Sequence, residues 1–189
     1  MALTPSNMLP LGTFTPKFTL IDTISGRPVS LYEDISEYGT VIMFICNHCP
    51  YVKYVKEEMI RLANDYIPQG LSFYAVSSND VEEYPEDSPE LMLEEAKKWA
   101  YPFPYLYDET QEVARAYDAA CTPDFYFFDS EMKLVYRGQL DDSRPGNEIP
   151  VTGRDIRAAI DDQLRGNPIS EQQIPSVGCN IKWKQYTDK

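Results

Sequence analysis

The sequence has few of the residues that several common sites require. Its 189 residues include one histidine, which excludes zinc sites with several histidines and makes a Ser-His-Asp triad hard to build. Basic residues are outnumbered, because 17 Lys and Arg stand against 30 Asp and Glu, for a net charge of −13. Since phosphate groups would be repelled, neither nucleic acid nor an anionic membrane is an expected partner.

Long hydrophobic runs are also missing. No segment approaches the ~20 apolar residues that span a bilayer, and the first residues lack the pattern of a secretory signal. We therefore expect a cytoplasmic protein. In that reducing compartment, cysteines more often serve catalysis or metal binding than structural disulfides. The four candidates are Cys46, Cys49, Cys121 and Cys179.

Segments with strand patterns alternate with amphipathic segments along the chain. Continuous apolar runs at 40–46, 71–76 and 124–128 predict buried strands. The segments between them carry helical periodicity, and residues 14–35 contain a hairpin turn. This order predicts an α/β domain with a mixed sheet.

Two segments carry less regular patterns. The acidic, proline-bearing stretch 82–90 is interpreted as a solvated loop rather than a binding surface. Residues 167–189 form a C-terminal tail with little periodicity, but apolar residues such as Trp183 indicate that it docks. The predicted division is a domain at 1–166 and a tail at 167–189 docked on it.

The most informative segment is CNHCP at residues 46–50, where a buried strand delivers two thiols to the start of a helix. Backbone N–H groups and the macrodipole at a helix N-terminus stabilise a thiolate. We expect Cys46 to be the more exposed and more acidic cysteine, with Cys49 close enough to form a disulfide. A cationic His48 would lower the thiol pKa and make the pair more oxidising.

Two other interpretations of this segment remain open. One is a zinc or redox-sensing module, although a four-cysteine zinc site usually needs two CxxC halves and this chain has one. The other is a pair of inert core thiols, for which the junction of a strand and a helix would be an unusual place. No metal site is assigned.

Several motifs together resemble the thioredoxin fold, and more narrowly a peroxiredoxin-like subfamily related to alkyl hydroperoxide reductase and thiol-specific antioxidant proteins. The resemblance covers nearly the whole chain. The stretches that carry it are GTFTPKFTL at 12–20, CNHCPYV at 46–52, CTPDF at 121–125, DDSRP at 141–145 and SVGCNIKW at 176–183.

This resemblance implies a thioredoxin-like three-layer sandwich, with a mixed central sheet flanked by helices and an N-terminal β-hairpin extension. It implies that Cys46 attacks and Cys49 resolves. Pro123 would be a cis-proline facing the disulfide, and Thr122 would offer its backbone to an extended substrate. Position 40, six before the first cysteine and often a buried acid in thioredoxins, is Thr40 here.

The rival function is a thiol-dependent peroxidase with an antioxidant role. Peroxiredoxins carry Pro-x-x-x-Thr-x-x-Cys around the reactive cysteine. If that cysteine is Cys49, the Thr and Pro positions hold Cys46 and Ile42; if it is Cys46, they hold Met43 and Gly39. Neither register fits, so a dedicated peroxiredoxin is disfavoured, although an acidic thiolate can still reduce peroxide slowly.

The remaining cysteines are possible accessory redox groups. Cys121 precedes Thr122 directly and is expected near the site, either as a redox group or as a small buried hydrophobe. Cys179 could pair with Cys121, take the oxidation from the CxxC pair, or be a thiol packed in the tail. Arg144 is a candidate for a substrate carboxylate, but pairing with Asp141 or Asp142 is the favoured interpretation.

The sequence thus predicts a thiol–disulfide oxidoreductase that exchanges with protein or small-molecule thiols and disulfides. A thioredoxin- or glutathione-type reductant would recycle it. No phosphate loop or nucleotide fingerprint is present, so no cofactor beyond the redox-active disulfide is expected.

Overall fold

A computed structural model describes residues 3–33 and 36–185 of the chain. The strands are β1 (Leu3–Pro5), β2 (Thr19–Asp22), β3 (Pro28–Ser30), β4 (Gly39–Phe44), β5 (Leu71–Ser77), β6 (Tyr105–Tyr107), β7 (Cys121–Thr122), β8 (Asp124–Phe128), β9 (Leu134–Gly138) and β10 (Val177–Asn180). The α-helices are α1 (Pro50–Tyr66), α2 (Pro89–Trp99), α3 (Glu112–Ala116) and α4 (Arg154–Arg165).

A mixed sheet of seven strands lies at the centre, in the order β3-β2-β6-β5-β4-β8-β9. Strands β4, β5 and β6 run parallel, whereas β8 and β9 join antiparallel at one side. The predicted N-terminal hairpin is confirmed as β2 and β3, which pair antiparallel at the other edge. A second, smaller sheet has the order β1-β10-β7.

The apolar run of β4 is buried on both faces, as its lack of alternation predicts. Val41 and Met43 belong to a hydrophobic cluster that includes residues of α1, α2 and α4. Ile42 and Phe44 belong to a second cluster on the opposite face, which includes residues of α3. Since successive strand side chains point to opposite faces, one sheet separates two layers and the three-layer α/β sandwich is confirmed.

Two elements differ from the sequence prediction. The helix expected at 110–119 is shorter, because Gln111 and Asp118 at its ends have φ of 63° and 49°, in the left-handed region. The tail, expected to be irregular, contributes β10, which pairs with both β1 and β7. Such short strands contain too few residues to show an alternating pattern, and their partners lie far away in the chain. The sequence pattern therefore does not reveal them.

The tail is held by side chains as well as by β10. The Arg115 guanidinium lies 4.5 Å from the centre of the Trp183 ring, and the Lys182 N–H donates to Asn79 Oδ1 at 2.8 Å. These contacts attach the tail to the sandwich, while the boundary at residue 166 stays a prediction. Within the described ranges, no helix is both long and apolar enough to cross a membrane.

Candidate active site

The two CxxC thiols lie where β4 passes into α1. Cys49 is the N-cap of α1, with an extended backbone and no side-chain cap, and Pro50 occupies the first turn. Proline is tolerated there because backbone N–H groups in the first turn have no acceptor within the helix, so its missing N–H costs no hydrogen bond. The nearby Val52 N–H in this first turn helps to lower the pKa of Cys49.

Both thiols are buried, which corrects the expectation that Cys46 is the more exposed. Cys46 is 1% exposed and Cys49 is 0% exposed. The reason is that two chain segments pack over the junction. One carries Asp87, whose carboxylate accepts the Asn47 N–H at 2.8 Å, and the other carries Thr122, whose hydroxyl lies 3.5 Å from Cys46 Sγ.

Thr122 contacts both thiols, and Pro123 follows it directly in the chain. Their peptide bond is cis. The Thr122 hydroxyl faces Cys46, and the Thr122 carbonyl oxygen lies 3.3 Å from Cys49 Sγ. One residue therefore contacts both sulfurs, which places the loop before β8 directly against the CxxC pair.

Asp87 is a site residue that the sequence analysis missed. The stretch 82–90 is largely exposed as predicted, but the Asp87 side chain within it is 0% exposed. Its carboxylate accepts hydrogen bonds from the Asn47 and His48 N–H groups and from Asn79 Nδ2 at 2.8 Å. The sequence does not single it out, because one buried aspartate cannot be distinguished from the exposed acidic residues around it in the same loop.

Asp87 also holds the single histidine. His48 Nδ1 lies 2.6 Å from Asp87 Oδ2 and 3.9 Å from Cys46 Sγ, and the His48 ring stacks on Tyr84 with centroids 5.3 Å apart. The hydrogen bond to Asp87 raises the pKa of His48 despite its burial. Burial opposes the ionised form of Asp87, but the hydrogen bonds from His48 and Asn79 outweigh it and lower the pKa of Asp87.

The pKa values of the two thiols shift in opposite directions, and the lowered one belongs to Cys49 rather than to Cys46. Hydrogen bonding to Cys49, burial and the nearby Asp87 carboxylate raise the pKa of Cys46. The hydrogen bond from Cys46 lowers the pKa of Cys49 to about 5, against the effect of burial. These directions run against the expectation that Cys46 is the more acidic cysteine, since the pKa of Cys46 is raised and that of Cys49 is lowered.

The accessory cysteines lie close by, but only one contacts the pair. Cys179 Sγ on β10 lies 2.8 Å from Cys49 Sγ, and burial raises the pKa of Cys179 to about 12. Cys121 Sγ instead faces the Pro123 carbonyl oxygen at 3.8 Å, and burial raises its pKa. All four cysteines are buried thiols.

Three donor atoms at the site lie close enough together to be considered as metal ligands. Cys46 Sγ, one His48 ring nitrogen and one Asp87 oxygen lie within 4.8 Å of one another. However, His48 Nδ1 and Asp87 Oδ2 are 2.6 Å apart, whereas two tetrahedral zinc ligands at ~2.0 Å from the metal are about 3.3 Å apart. This spacing fits a hydrogen-bonded ion pair better than a zinc ligand set.

A narrow cleft runs beside Pro123, lined also by Tyr51, Val177 and Arg144. Arg144 donates to the backbone carbonyls of Asp141 and Ser143 and to Gln139 Oε1. The favoured interpretation, a pair with an aspartate side chain, is therefore not the arrangement found within the described residues. The guanidinium is held by neutral acceptors at the edge of the thiol site.

Comparisons with solved structures identify two that match along nearly their whole length. One is described as an uncharacterized conserved protein from Geobacillus kaustophilus, with 62% identity, a TM-score of 0.97 and 99% of each chain covered. The other is a hypothetical protein from Sinorhizobium meliloti 1021, with 46% identity, a TM-score of 0.93, and 96% of this chain and 98% of that chain covered. A search of curated proteins finds no match.

A more distant structure shows the fold alone. It is described as a putative thiol:disulfide interchange protein DsbE from Chlorobium tepidum, with 17% identity, a TM-score of 0.65, and 83% of this chain and 99% of that chain covered. The fold and the paired thiols define a redox protein of the thioredoxin-fold class. The chain belongs to the AhpC/TSA family, whose model matches residues 11–137, as the sequence resemblance predicts.

Proposed function

We propose that this chain is a thiol–disulfide oxidoreductase in which Cys46 attacks a substrate disulfide and Cys49 resolves the mixed disulfide. One observation carries the proposal: two buried thiols lie at a helix N-terminus, with Thr122 in contact with both sulfurs. Inert core thiols would not need a hydrogen-bonded acceptor sulfur whose pKa is lowered to about 5.

A proton transfer between the two thiols supplies the nucleophile. Cys46 passes its proton to the Cys49 thiolate, and the Cys46 thiolate attacks one substrate sulfur, which breaks the substrate disulfide and releases the other sulfur as a thiolate that takes a proton from solvent. Cys49 then attacks Cys46 Sγ, and its proton passes to the departing sulfur, which leaves as the second substrate thiol and gives a Cys46–Cys49 disulfide. His48 and Asp87 act as positioning residues that set the electrostatic field at Cys46.

The reaction moves an electron pair between sulfur atoms, so it needs no bound cofactor beyond the disulfide itself. The proposed partners are protein or small-molecule disulfides, and a thioredoxin- or glutathione-type thiol in the cytoplasm would restore the dithiol. The net charge of −13 supports such partners over nucleic acid or an anionic membrane.

Substrate contacts are proposed at the Thr122 side chain, Pro123 and the adjoining cleft, because the Thr122 backbone, expected to be offered to a substrate, is already paired with Cys179 of β10. The cleft is lined by the apolar Tyr51 and Val177 and carries the Arg144 guanidinium at its edge. Gln139, Ser143 and Ser176 also line it, so apolar and polar groups face the same cleft, as in sites that bind and orient a substrate. Peroxidase activity and a zinc-sensing role are less well supported, because neither the peroxiredoxin register nor zinc-ligand spacing is present.

The test uses isosteric replacements of single thiols. Cys46→Ser is expected to abolish disulfide reduction, whereas Cys49→Ser is expected to accumulate mixed disulfides that mass spectrometry detects, because its resolving thiol is missing. Cys121→Ser is the matched control and should keep wild-type turnover. Full activity of the Cys46→Ser chain would contradict the assignment, as would peroxide turnover faster than disulfide exchange in the unaltered chain.

A further inference from the structure

Strand β10 occupies the backbone edge that an extended substrate would use. It pairs antiparallel with β7, with Cys179 opposite Thr122 and Asn180 opposite Cys121. The pairing continues beyond β7, since the Ile181 N–H donates to the Ala120 carbonyl at 3.1 Å. The chain therefore places its own strand, with a cysteine on it, alongside Thr122.

The approach of the two strands is unusually close. A Cβ atom at Gly178 would lie 2.0 Å from the Thr122 carbonyl oxygen, so a larger residue there would have to push the strands apart. This backbone contact brings Cys179 Sγ to 2.8 Å from Cys49 Sγ, whereas a disulfide bond is about 2.05 Å long. Only a small displacement separates the observed contact from a bond.

We propose that β10 pairs with Thr122 in the way that an extended substrate would. Cys179 is then a third redox thiol, which replaces Cys46 as the disulfide partner of Cys49. The inference rests on the proposed function, because exchange must first create the Cys46–Cys49 disulfide. The Cys179 thiol then attacks Cys49 Sγ. The Cys46–Cys49 bond breaks, and a Cys49–Cys179 bond forms.

The step needs no further oxidant. The electron pair of the broken bond stays on Cys46 Sγ, which takes up the proton that Cys179 loses, so one disulfide and one thiol are present before and after. The new bond joins residues that are 0% and 2% exposed. Reduction reverses the step: the Cys46 thiol attacks Cys49 Sγ, Cys179 takes up the proton and leaves as a thiol, and an external thiol then attacks Cys46 Sγ of the re-formed Cys46–Cys49 disulfide.

The experiment follows disulfide isomers in time. The full-length wild-type chain is oxidised with one equivalent of glutathione disulfide, quenched with acid at intervals, alkylated and mapped by mass spectrometry. We expect the Cys46–Cys49 linkage first and the Cys49–Cys179 linkage after it. Disulfide mapping that shows Cys46–Cys49 at every time and never Cys49–Cys179 would overturn the inference.

Two variants distinguish the effect of the position of β10 from the effect of changing a thiol. Gly178→Ala keeps every cysteine but pushes β10 from Thr122, and it should lower the share of Cys49–Cys179 about tenfold without slowing the first linkage. Cys121→Ser, which changes a neighbouring buried thiol, should leave that share unchanged. An unchanged share in the Gly178→Ala chain, with folding verified by circular dichroism, would contradict the role of β10.

Failure of the inference and failure of the proposed function give different results. If only the inference fails, the Cys179→Ser chain and the wild-type chain both form Cys46–Cys49 and turn over substrate, and no Cys49–Cys179 appears. If the proposed function fails, no Cys46–Cys49 linkage forms with glutathione disulfide, and the Cys46→Ser chain keeps wild-type turnover.

Discussion

At the scale of single residues, Asp87 and His48 control the charge beside the thiols. Asp87 is fully buried and holds His48 at 2.6 Å, while His48 Nδ1 is 3.9 Å from Cys46 Sγ. The histidine therefore does not act on the thiols as an isolated cation. Its positive charge is largely compensated by Asp87, whose negative charge would otherwise destabilise a thiolate.

Removal of His48 and removal of the Asp87 charge should shift the thiol pKa in opposite directions. His48→Ala removes the cationic partner of the buried Asp87 carboxylate, so we expect the first apparent thiol pKa of the pair to rise by about one unit. The couple should become more reducing, on the order of 30 mV. Asp87→Asn should lower the thiol pKa and make the couple less reducing. Ultraviolet thiolate absorbance against pH and a glutathione titration measure the two quantities.

The double variant is the control for this prediction. If the two residues act as a pair, the chain with both substitutions should return towards the wild-type pKa and potential. Equal shifts of the same sign in the two single variants would indicate a general loss of packing. An unchanged or less negative potential in the His48→Ala chain would remove His48 from control of the thiols.

At the scale of elements, Asn79 connects the thiol site to the tail. It follows β5, and its amide donates to Asp87 Oδ2 while its oxygen accepts the Lys182 N–H, both at 2.8 Å. One buried side chain therefore orders the Asp87 loop and the segment after β10. The position of β10 is thus coupled to the same hydrogen bonds that orient Asp87.

Asn79→Ala is expected to lower the free energy of unfolding by about 1–3 kcal/mol, because both partners lose a buried hydrogen bond. Proteolysis of the tail should also accelerate, since the Lys182 contact is lost. Asn167→Ala is the matched control, because Asn167 is exposed and its side-chain contact to Asp162 is 3.4 Å long. Equal stability and equal tail proteolysis in the two variants would contradict this role.

The same elements show how far sequence patterns reach. The strand β4, the CxxC pair and the start of α1 are adjacent in the chain, so local periodicity predicts their arrangement. Ser88 is the N-cap of α2, since its side chain accepts the Leu91 N–H. Asp87 and the contact of Cys179 with Cys49 join segments 39 and 130 residues apart, which no local pattern encodes.

At the scale of the whole molecule, a buried ion pair fixes the scaffold behind the site. Arg137 on β9 and Asp124 on β8 are both 0% exposed and lie 3.2 Å apart, and Ser6 bonds to both. Asp124 directly follows Pro123, and burial raises the pKa of Asp124 to about 6 despite the pairing. The N-terminal segment and two strands thus hold the loop that carries Thr122 against the thiols.

The central claim is that Cys46 and Cys49 form one exchange couple. The most direct measurement equilibrates the full-length chain with glutathione mixtures of graded potential and maps its cysteines by mass spectrometry. A potential near about −270 mV would indicate a reductant, and one near about −120 mV an oxidant of other proteins. The account predicts one two-electron transition in which every disulfide contains Cys49. Cys46 and Cys49 that remain thiols throughout, or a disulfide that excludes Cys49, would contradict it.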